Sequence, residues 1–260
     1  HQESELIPNI DAFLEALSSA ADSWPFTVGW LDCLKKGSAM GRGILFKGRW
    51  ANPNEAPSAP PQIARGPAVP FQFPSWALNR ASVSLFNEGF YRKYGYGEPN
   101  QIVASPTFFY PLDSIHHWNR IYGKAGFTQH QCIIPKSAGP DTVRRYMELL
   151  TSLGGASFLC VIKDCGPQGS GMLSFPMPGT SIALELPVRR GIQEVINRLN
   201  RFLIEVGGRV YLAKDNFTRA EDFRTMETRL ESFLNVRRAW DPELRFRSVQ
   251  SVRLFGDPVE

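Results

Sequence analysis

The spacing of apolar residues predicts four helices. In the first, the apolar side chains of residues 9–21 fall on one face, and Asn9 stands before them as a candidate N-cap. Glycines follow the second and third apolar stripes, as they commonly do at helix ends. Thr218 and Glu221 form a candidate capping box for the fourth helix. The predicted helices are residues 9–21, 139–155, 191–208 and a last one from about 219.

Between these helices, alternation of apolar and polar residues predicts strands. Phe26, Val28 and Trp30, for example, alternate with a threonine and a glycine, as in a half-buried strand. The predicted strands are residues 25–33, 41–50, 126–135, 157–164, 180–187 and 209–214. From residue 126 onward the order strand–helix–strand occurs twice, which is the βαββαβ order of ferredoxin-like folds. We therefore predict an α+β fold, in which ferredoxin-like βαββαβ elements form a large, mostly antiparallel sheet with helices packed on one face.

Residues 51–76 interrupt this regular pattern, because they are rich in proline and lack any periodicity. A long loop of this kind in a compact domain is either a functional lid or an irregular connection, and the sequence leaves both interpretations open. Three aromatic residues near its end, Phe71, Phe73 and Trp76, indicate that part of the loop packs onto the protein.

The composition is that of a soluble globular protein, with 260 residues and a net charge of +4. No apolar stretch approaches the roughly 20 residues that a membrane-spanning helix needs, so we expect at most peripheral contact with a membrane. Adjacent arginines are scattered rather than clustered, so no nucleic-acid partner is predicted. The four cysteines show neither a CxxC motif nor zinc-like spacing with histidine; we therefore expect a reducing, cytoplasmic location and no metal site.

Polar residues on a strand that otherwise looks buried give the first indication of a site. Alternation places Gln129, Gln131 and Ile133 on one face of strand 126–135, with His130 and Cys132 on the other. Two glutamines side by side can recognise hydroxyl groups, since each amide offers donors and an acceptor. A solvent-facing pair is the alternative interpretation. No phosphate-binding glycine loop, nucleophile elbow or zinc-protease motif accompanies them.

Two lysines add positive charge to the predicted site. Lys163 shares a strand face with Val161, where a lysine is either an edge charge or a cation that points into a pocket. Lys214 ends the predicted strand 209–214. If the two strand–helix–strand repeats share one sheet, these lysines face a common cleft. Together with the two glutamines, they would suit a polyhydroxylated or anionic ligand.

Four stretches of the chain carry motifs of a known family. They are "TFFYPLDSIHHWNRIYGKAGFTQHQCIIP", "SFLCVIKDCGPQGSGMLSFPMPG", "GGRVYLAKD" and "VRRAWDPELRFRS". In order and content they resemble the FAD-linked oxidases of the vanillyl-alcohol-oxidase type, over essentially the whole chain. Within that family the likeness is greatest to oxidases that act with a separate reductase in the 2′-epimerisation of a polyprenyl-phosphoryl pentose.

The resemblance implies a division of the chain into two parts. Residues 1–208, with the Pro-rich loop 51–76, would be the substrate-binding (cap) domain. Residues 209–260 would be a C-terminal segment that returns to the FAD-binding domain. In that family most of the flavin contacts come from an N-terminal FAD-binding domain, which we expect to be absent from this sequence.

The resemblance also assigns roles to individual residues. Lys214 and Tyr211 match the catalytic positions beside the flavin, and with Ala213 they would also bind the cofactor. The residues that match substrate-binding positions are Gln129, Gln131, Lys163, Trp30, Phe109 and Ser181. Ser181 stands where related proteins have asparagine, and Ala183 where they have cysteine, which leaves the exact sugar open.

The implied reaction is oxidation of a secondary alcohol of a sugar by hydride transfer to FAD, with either Lys214 or Tyr211 assisting loss of the hydroxyl proton. A polyprenyl-phosphoryl pentose is the leading substrate, and the product would pass to a separate short-chain reductase. A sugar or sugar-lactone oxidase of the same superfamily is the alternative, and a catalytically silent ferredoxin-like binding module is another. Without the FAD-binding domain, we expect the chain alone to be inactive.

Overall fold

The computed structural model describes residues 1–59, 61, 66–74, 76–154 and 157–259. Parts of two predicted segments therefore lie outside the described residues, namely positions 60, 62–65 and 75 of the Pro-rich loop and the end of the predicted helix 139–155. The first half of the chain forms the elements β1 (Gln2–Ile7), α1 (Ile10–Ala20), β2 (Phe26–Leu31), β3 (Gly43–Gly48), α2 (Arg80–Tyr96) and β4 (Asn100–Gln101).

A short helix, α3 (Ser105–Phe109), leads into the second half. This half forms β5 (Phe127–Pro135), α4 (Asp141–Ser152), β6 (Cys160–Cys165), β7 (Gly179–Pro187), α5 (Ile192–Glu205) and β8 (Arg209–Val210). Three further helices close the chain, α6 (Ala220–Met226), α7 (Leu230–Trp240) and α8 (Val249–Phe255). Within the described ranges, no helix is both long and apolar enough to cross a membrane.

The strands form one eight-stranded sheet across the described part of the chain, in the order β4-β1-β3-β2-β6-β7-β5-β8 with every pairing antiparallel. Each half is a βαββαβ unit with the same strand order, and the halves meet where β2 pairs with β6 through Gly29 and Ile162. The predicted α+β fold with a mostly antiparallel sheet is confirmed. The sequence pattern revealed only the second unit.

One face of the sheet carries the main hydrophobic core, under α1, α4 and α5. The N-cap predicted for α1 is confirmed, since the side chain of Asn9 accepts a hydrogen bond from the backbone of Ala12 at 3.0 Å. Phe13 of this helix lies directly over Gly29, where an added Cβ atom would come within 2.5 Å of the ring. The close approach of helix and sheet at this point therefore requires glycine.

The opposite face is covered differently in the two halves. In the first half α2 lies across it, with Phe90 against Trp30 at 4.8 Å and Tyr94 against Phe46 at 5.1 Å between ring centroids. A buried polar contact also attaches α2 to the sheet, since the side-chain amide of Asn87 donates a hydrogen bond to Asp32 at 2.8 Å. In the second half no described helix takes the corresponding place, and this is where the candidate site lies.

Two predictions about the C-terminal part are wrong. The strand predicted for 209–214 ends at Val210, and Lys214 lies in a 3-10 helix, Leu212–Lys214. The last helix is divided into α6 and α7, and Thr218 does not cap it. The hydroxyl of Thr218 instead accepts a hydrogen bond from the buried Asn200 at 3.0 Å, because an amide inside the core needs a partner.

Part of the Pro-rich loop packs onto the protein, as predicted. The backbone of Val69 bonds to His116, and that of Phe73 bonds to Arg120, both at 2.9 Å. The side chains of Phe71 and Trp76 are nevertheless exposed. The loop is therefore attached through its backbone more than through its aromatic side chains.

Candidate functional site

A cavity of about 560 Å³ opens on the face of the sheet opposite α1, α4 and α5. Its floor is formed by side chains from the middle strands: Val28, Gln129, Gln131, Val161, Lys163, Ala183 and Glu185. Residues 108–113 form one wall, and Lys214 lies at the edge. The site is thus built on strands, and the end of α3 with the 3-10 helix that follows it, Pro111–Ser114, forms one of its walls.

The two predicted glutamines share the floor of the cavity, and each is held by a neighbour on β7. The amide nitrogen of Gln129 donates to Oε1 of Glu185 at 2.9 Å. The amide nitrogen of Gln131 donates to the hydroxyl of Ser181 at 3.0 Å. Ser181 is 2% exposed and is not a lining residue, so the contact through which it faces the site is the one with Gln131.

Glu185 is a buried carboxyl group in the cavity floor that was not predicted from the sequence. It is 1% exposed, and besides Gln129 it accepts a hydrogen bond from the hydroxyl of Tyr122 at 2.7 Å. Burial raises the pKa of Glu185, although these two hydrogen bonds and the charge of Lys214 act in the opposite direction. Alternation in "TSIALELP" would have placed Glu185 on the same face as Ser181, which was the available signal.

Lys163 and Lys214 both line the cavity, which brings together the two lysines singled out from the sequence. Lys163 is exposed on β6, whereas Lys214 is half-buried. Burial, and then the charge of Lys163, lowers the pKa of Lys214, while the carboxylate of Glu185 raises it in part. No hydrogen bond or ion pair joins either ammonium group to another described residue, so both are available to a ligand.

The turn that carries Lys214 is fixed by the C-terminal helix α8. Asp215 accepts hydrogen bonds from the backbone nitrogens of Phe217 and Thr218, and it pairs with Arg253 of α8 at 2.8 Å. From the same helix, the amide of Gln250 donates to the carbonyl of Leu212 at 2.6 Å. These contacts hold the turn on both sides of Lys214.

Aromatic rings form the wall opposite the glutamines. Phe109, a predicted substrate-binding residue, lines the cavity and packs against Phe26 at 5.0 Å and Phe108 at 5.2 Å between ring centroids. Trp30 does not line the cavity. It is buried under α2, where its indole nitrogen donates to the carbonyl of Phe158 at 2.9 Å.

Two of the predicted cofactor-binding residues lie outside the cavity wall. The ring of Tyr211 packs on Phe175 at 4.8 Å, and its backbone nitrogen donates to the carbonyl of Gln131 at 2.8 Å. Ala213 lies on the turn before Lys214. Their role beside a flavin stays a prediction.

The chemistry of the cavity divides into two zones. Its centre offers amide oxygens next to apolar side chains, which suits the hydroxyl groups and the ring carbons of a sugar. The second zone is formed by the ammonium groups of Lys163 and Lys214, which suit a phosphate or a developing negative charge.

Comparison with known proteins places the chain beside an oxidase. It is 33% identical over 241 residues to decaprenylphosphoryl-beta-D-ribose oxidase of Mycolicibacterium smegmatis, a match that covers 89% of this chain and 51% of that protein. It is also 27% identical over 261 residues to an uncharacterized protein of Streptomyces coelicolor, encoded in the mprA 5′ region, with 95% of this chain and 70% of that protein covered.

No protein-family model matches the chain. The chain spans about half the length of the oxidase that it matches, 51%. It is thus related, across most of its own length, to one part of a decaprenylphosphoryl-beta-D-ribose oxidase, and the resemblance read from its motifs is confirmed.

Proposed function

We propose that this chain is the substrate-binding part of an FAD-dependent oxidoreductase that oxidises a secondary alcohol of a sugar. The leading substrate is a polyprenyl-phosphoryl pentose. The observation that carries the proposal is the cavity, because it joins Gln129, Gln131, Lys163 and Lys214 around one volume of about 560 Å³. That volume falls in the range of ordinary small-molecule sites. The relationship to the oxidase named above supports the type of reaction.

The parts of such a substrate match the parts of the cavity. The sugar hydroxyls would lie over Gln129 and Gln131, and the phosphate would meet the exposed ammonium group of Lys163. Apolar side chains extend from the cavity toward solvent, since Phe109 is 42% exposed and Tyr110 is 62% exposed. Trp50, whose ring packs edge-on against Phe26, continues this surface. This apolar surface would bind the first isoprene units of the lipid.

The residues at the cavity edge fit contact with the ring of a flavin. Lys214 is a half-buried cation without a partner among the described residues, which is the kind of group that stabilises negative charge on a reduced flavin. FAD, when bound, would supply the hydride acceptor. Lys214 lines the cavity and Tyr211 does not, so Lys214, in its neutral amine form, is the better placed of the two to receive the hydroxyl proton, after which it carries the positive charge.

The proposal extends to the remainder of the protein and its partner. Most FAD contacts would come from an FAD-binding domain outside residues 1–260, to which segment 209–260 returns, and the isolated chain would be inactive. The ketone produced would be reduced by a separate short-chain reductase.

Two alternatives are tested with the same protein. A sugar or sugar-lactone oxidase of the same superfamily is the first alternative, because the resemblance leaves the exact sugar open. A catalytically silent binding module is the second alternative.

The test is anaerobic reduction of the flavin in the full-length product of the gene that encodes this chain. We expect a farnesyl-phosphoryl-β-D-ribose probe to bleach the flavin absorption at ~450 nm, whereas D-ribose and a sugar lactone do not. Bleaching by the free sugar or the lactone would support the first alternative. A flavin that none of the probes reduces, or a protein that binds no flavin, would contradict the proposal.

A matched pair of variants separates binding of the phosphate from chemistry. Lys163→Ala is expected to raise KM for the phosphorylated probe about tenfold and to leave kcat nearly unchanged. Lys136→Ala, at a lysine that does not line the cavity, is expected to change neither constant. An equal loss of kcat in both variants would count against a phosphate-binding role for Lys163.

A further inference from the structure

The amide of Gln129 has a fixed direction, because a carboxyl group holds one end of it. Its nitrogen donates to Oε1 of Glu185 at 2.9 Å, and the hydroxyl of Tyr122 donates to Oε2 of the same group at 2.7 Å. An ionised carboxylate only accepts hydrogen bonds. With Glu185 in this ionised form, the nitrogen of Gln129 faces the carboxylate, as it does in the structure, and its carbonyl oxygen faces away.

That carbonyl oxygen is left for the cavity. Gln129 lines the cavity, and its oxygen accepts no hydrogen bond from any residue that the structure describes. The amide of Gln131 has the same arrangement, with its nitrogen on the hydroxyl of Ser181 at 3.0 Å and its oxygen without a described partner. Ser181 fixes the direction of the Gln131 amide less strictly, since a serine hydroxyl can both donate and accept a hydrogen bond.

We propose that Glu185 is a positioning residue that fixes the polarity of Gln129, so that the cavity floor presents a pair of carbonyl oxygens to two hydroxyl groups of one ligand. The glutamines are two residues apart on β5, so their backbones lie roughly 6.7 Å from each other. This is within the reach of two side chains that converge on one sugar ring.

The inference rests on the proposed function in one respect, namely that the ligand is a polyol, and it deepens that proposal by stating which groups the floor recognises. The two glutamine oxygens accept hydrogen bonds, and the two lysines of the cavity only donate them. A hydroxyl that is replaced by hydrogen, or oxidised to a carbonyl, no longer has a donor for the floor. The site therefore distinguishes the alcohol from its ketone and from a deoxy sugar.

The first test measures the direction of the Gln129 amide without any ligand. In the wild-type chain, the side-chain NH₂ signal of Gln129 in a nitrogen-15 NMR spectrum is expected to be protected from exchange with water. Glu185→Gln has the same shape, but its new NH₂ group takes the place of an acceptor. The hydroxyl of Tyr122 has Glu185 as its acceptor, so it is expected to keep the one oxygen of the new amide. The amide of Gln129 then turns, and we expect its NH₂ group to face the cavity and lose that protection.

The second test measures how this rotation of the Gln129 amide affects binding of a sugar. With methyl β-D-ribofuranoside as the probe, Glu185→Gln is expected to weaken binding by up to about tenfold, because the probe can no longer donate a hydrogen bond to an oxygen at position 129 and its hydroxyl must turn to accept one from the NH₂ group. The double variant Glu185→Gln/Gln129→Glu returns an oxygen to the cavity, because the carboxylate introduced at position 129 accepts a hydrogen bond from the amide introduced at position 185. We expect it to bind the probe within about threefold of the wild type.

A merely structural role would give a different pattern. Glu231→Gln, at an exposed position on α7, serves as the control for loss of one negative charge and is expected to bind as the wild type does. The inference is overturned if the Gln129 signal is the same in the wild type and Glu185→Gln, or if the double variant binds as weakly as the single one.

Failure of the proposed function gives its own signature. A wild-type chain that binds neither the riboside nor its 2-deoxy analogue would contradict the proposal of a sugar site and with it the recognition of hydroxyl groups. The exchange measurement would still decide, by itself, whether Glu185 fixes the direction of Gln129.

Discussion

Lys214 and Glu185 show how neighbouring residues set the charge of a site. Burial lowers the pKa of Lys214 and raises the pKa of Glu185, so in each case it favours the neutral form. Each also favours the charged form of the other. The half-buried lysine is therefore closer to losing its proton than a lysine on the surface, which is the property that a base requires.

Substitution of Lys214 should separate its charge from its ability to release a proton. In the full-length protein, Lys214→Met is expected to lower kcat at least about a hundredfold. Lys214→Arg should have a kcat less than about tenfold above that of Lys214→Met, since a guanidinium does not deprotonate. The wild-type kcat/KM should rise with pH through a pKa below the ordinary lysine value. A Lys214→Arg variant that keeps both the rate and this pH profile would exclude Lys214 as the base.

The raised pKa of Glu185 has a consequence for stability. The folded state binds a proton at Glu185 more readily than the unfolded state does, so this residue favours folding less as pH rises from about 4.3 to its raised pKa. Glu185→Gln lacks this dependence. Urea unfolding at a series of pH values should show that the stability of the wild type minus that of the variant falls across this window. A difference that rises would contradict the direction of the shift.

The sequence predicted the glutamines and lysines of the site but not its carboxyl group. Alternation on strand 126–135 was enough to place Gln129 and Gln131 on one face. In the structure β7 pairs with both β5 and β6, and Lys163 lies opposite Ser181 on that face of the sheet. Glu185 escaped because a single acidic residue in an apolar strand looks like a solvent-facing position. Its burial depends on Tyr122, which is 63 residues away in sequence.

At the scale of elements, the turn around Lys214 depends on α8 more than on the strand before it. β8 is only two residues long, Arg209–Val210, and beyond it the chain is held by Gln250 and Arg253. Asp215 lies between these contacts and its side chain is 5% exposed. The position of the candidate base is therefore determined by a helix that lies much further along the chain.

Arg253→Ala should detach this turn. We expect activity of the full-length protein to fall about tenfold, and the free energy of unfolding to fall by about 1–3 kcal/mol, because Asp215 is left buried without its partner. Arg238→Ala, at a side chain on α7 that is 60% exposed, is the control and should change stability by less than about 0.5 kcal/mol. Equal effects of the two substitutions in enzyme assays and thermal unfolding would contradict the role of α8.

The elements that the sequence predicted well are those with a strong period. The apolar stripe of α5 and the apolar side chains that alternate along β5 and β7 face the core, and the predicted positions of these elements are confirmed. α2 was missed because it buries only Val83 and Asn87, and its larger aromatic side chains are half-exposed or exposed. A helix that packs on a sheet over so little of its surface leaves a weak pattern.

At the scale of the whole molecule, the pairing of β2 with β6 joins two similar units into one sheet. Gly29 lies at this junction, where an added Cβ atom would come within 2.5 Å of both Ile162 and Phe13. At Gly29, β2 and α1 of the first unit therefore meet β6 of the second unit so closely that no side chain fits.

Gly29→Ala should therefore be destabilising. We expect the free energy of unfolding to fall by about 1–3 kcal/mol in urea denaturation, because a methyl group is forced into a filled space. The control is Gly89→Ala on α2, where nothing lies within 4 Å of the new atom. Since alanine favours a helix over glycine by up to about 1 kcal/mol, this control should be neutral or stabilising. Destabilisation by the control alone would reverse our interpretation of the junction.

The shared strand order of the two units gives the molecule two equivalent platforms. On the first, α2 lies across β1 and β3 and meets Trp30 of β2. On the second, the corresponding strands β5, β7 and β6 form the floor of the cavity. An α-helix is about 10 Å in diameter, so a ligand on the second platform would replace, with its own atoms, the packing that the first platform receives from the chain itself.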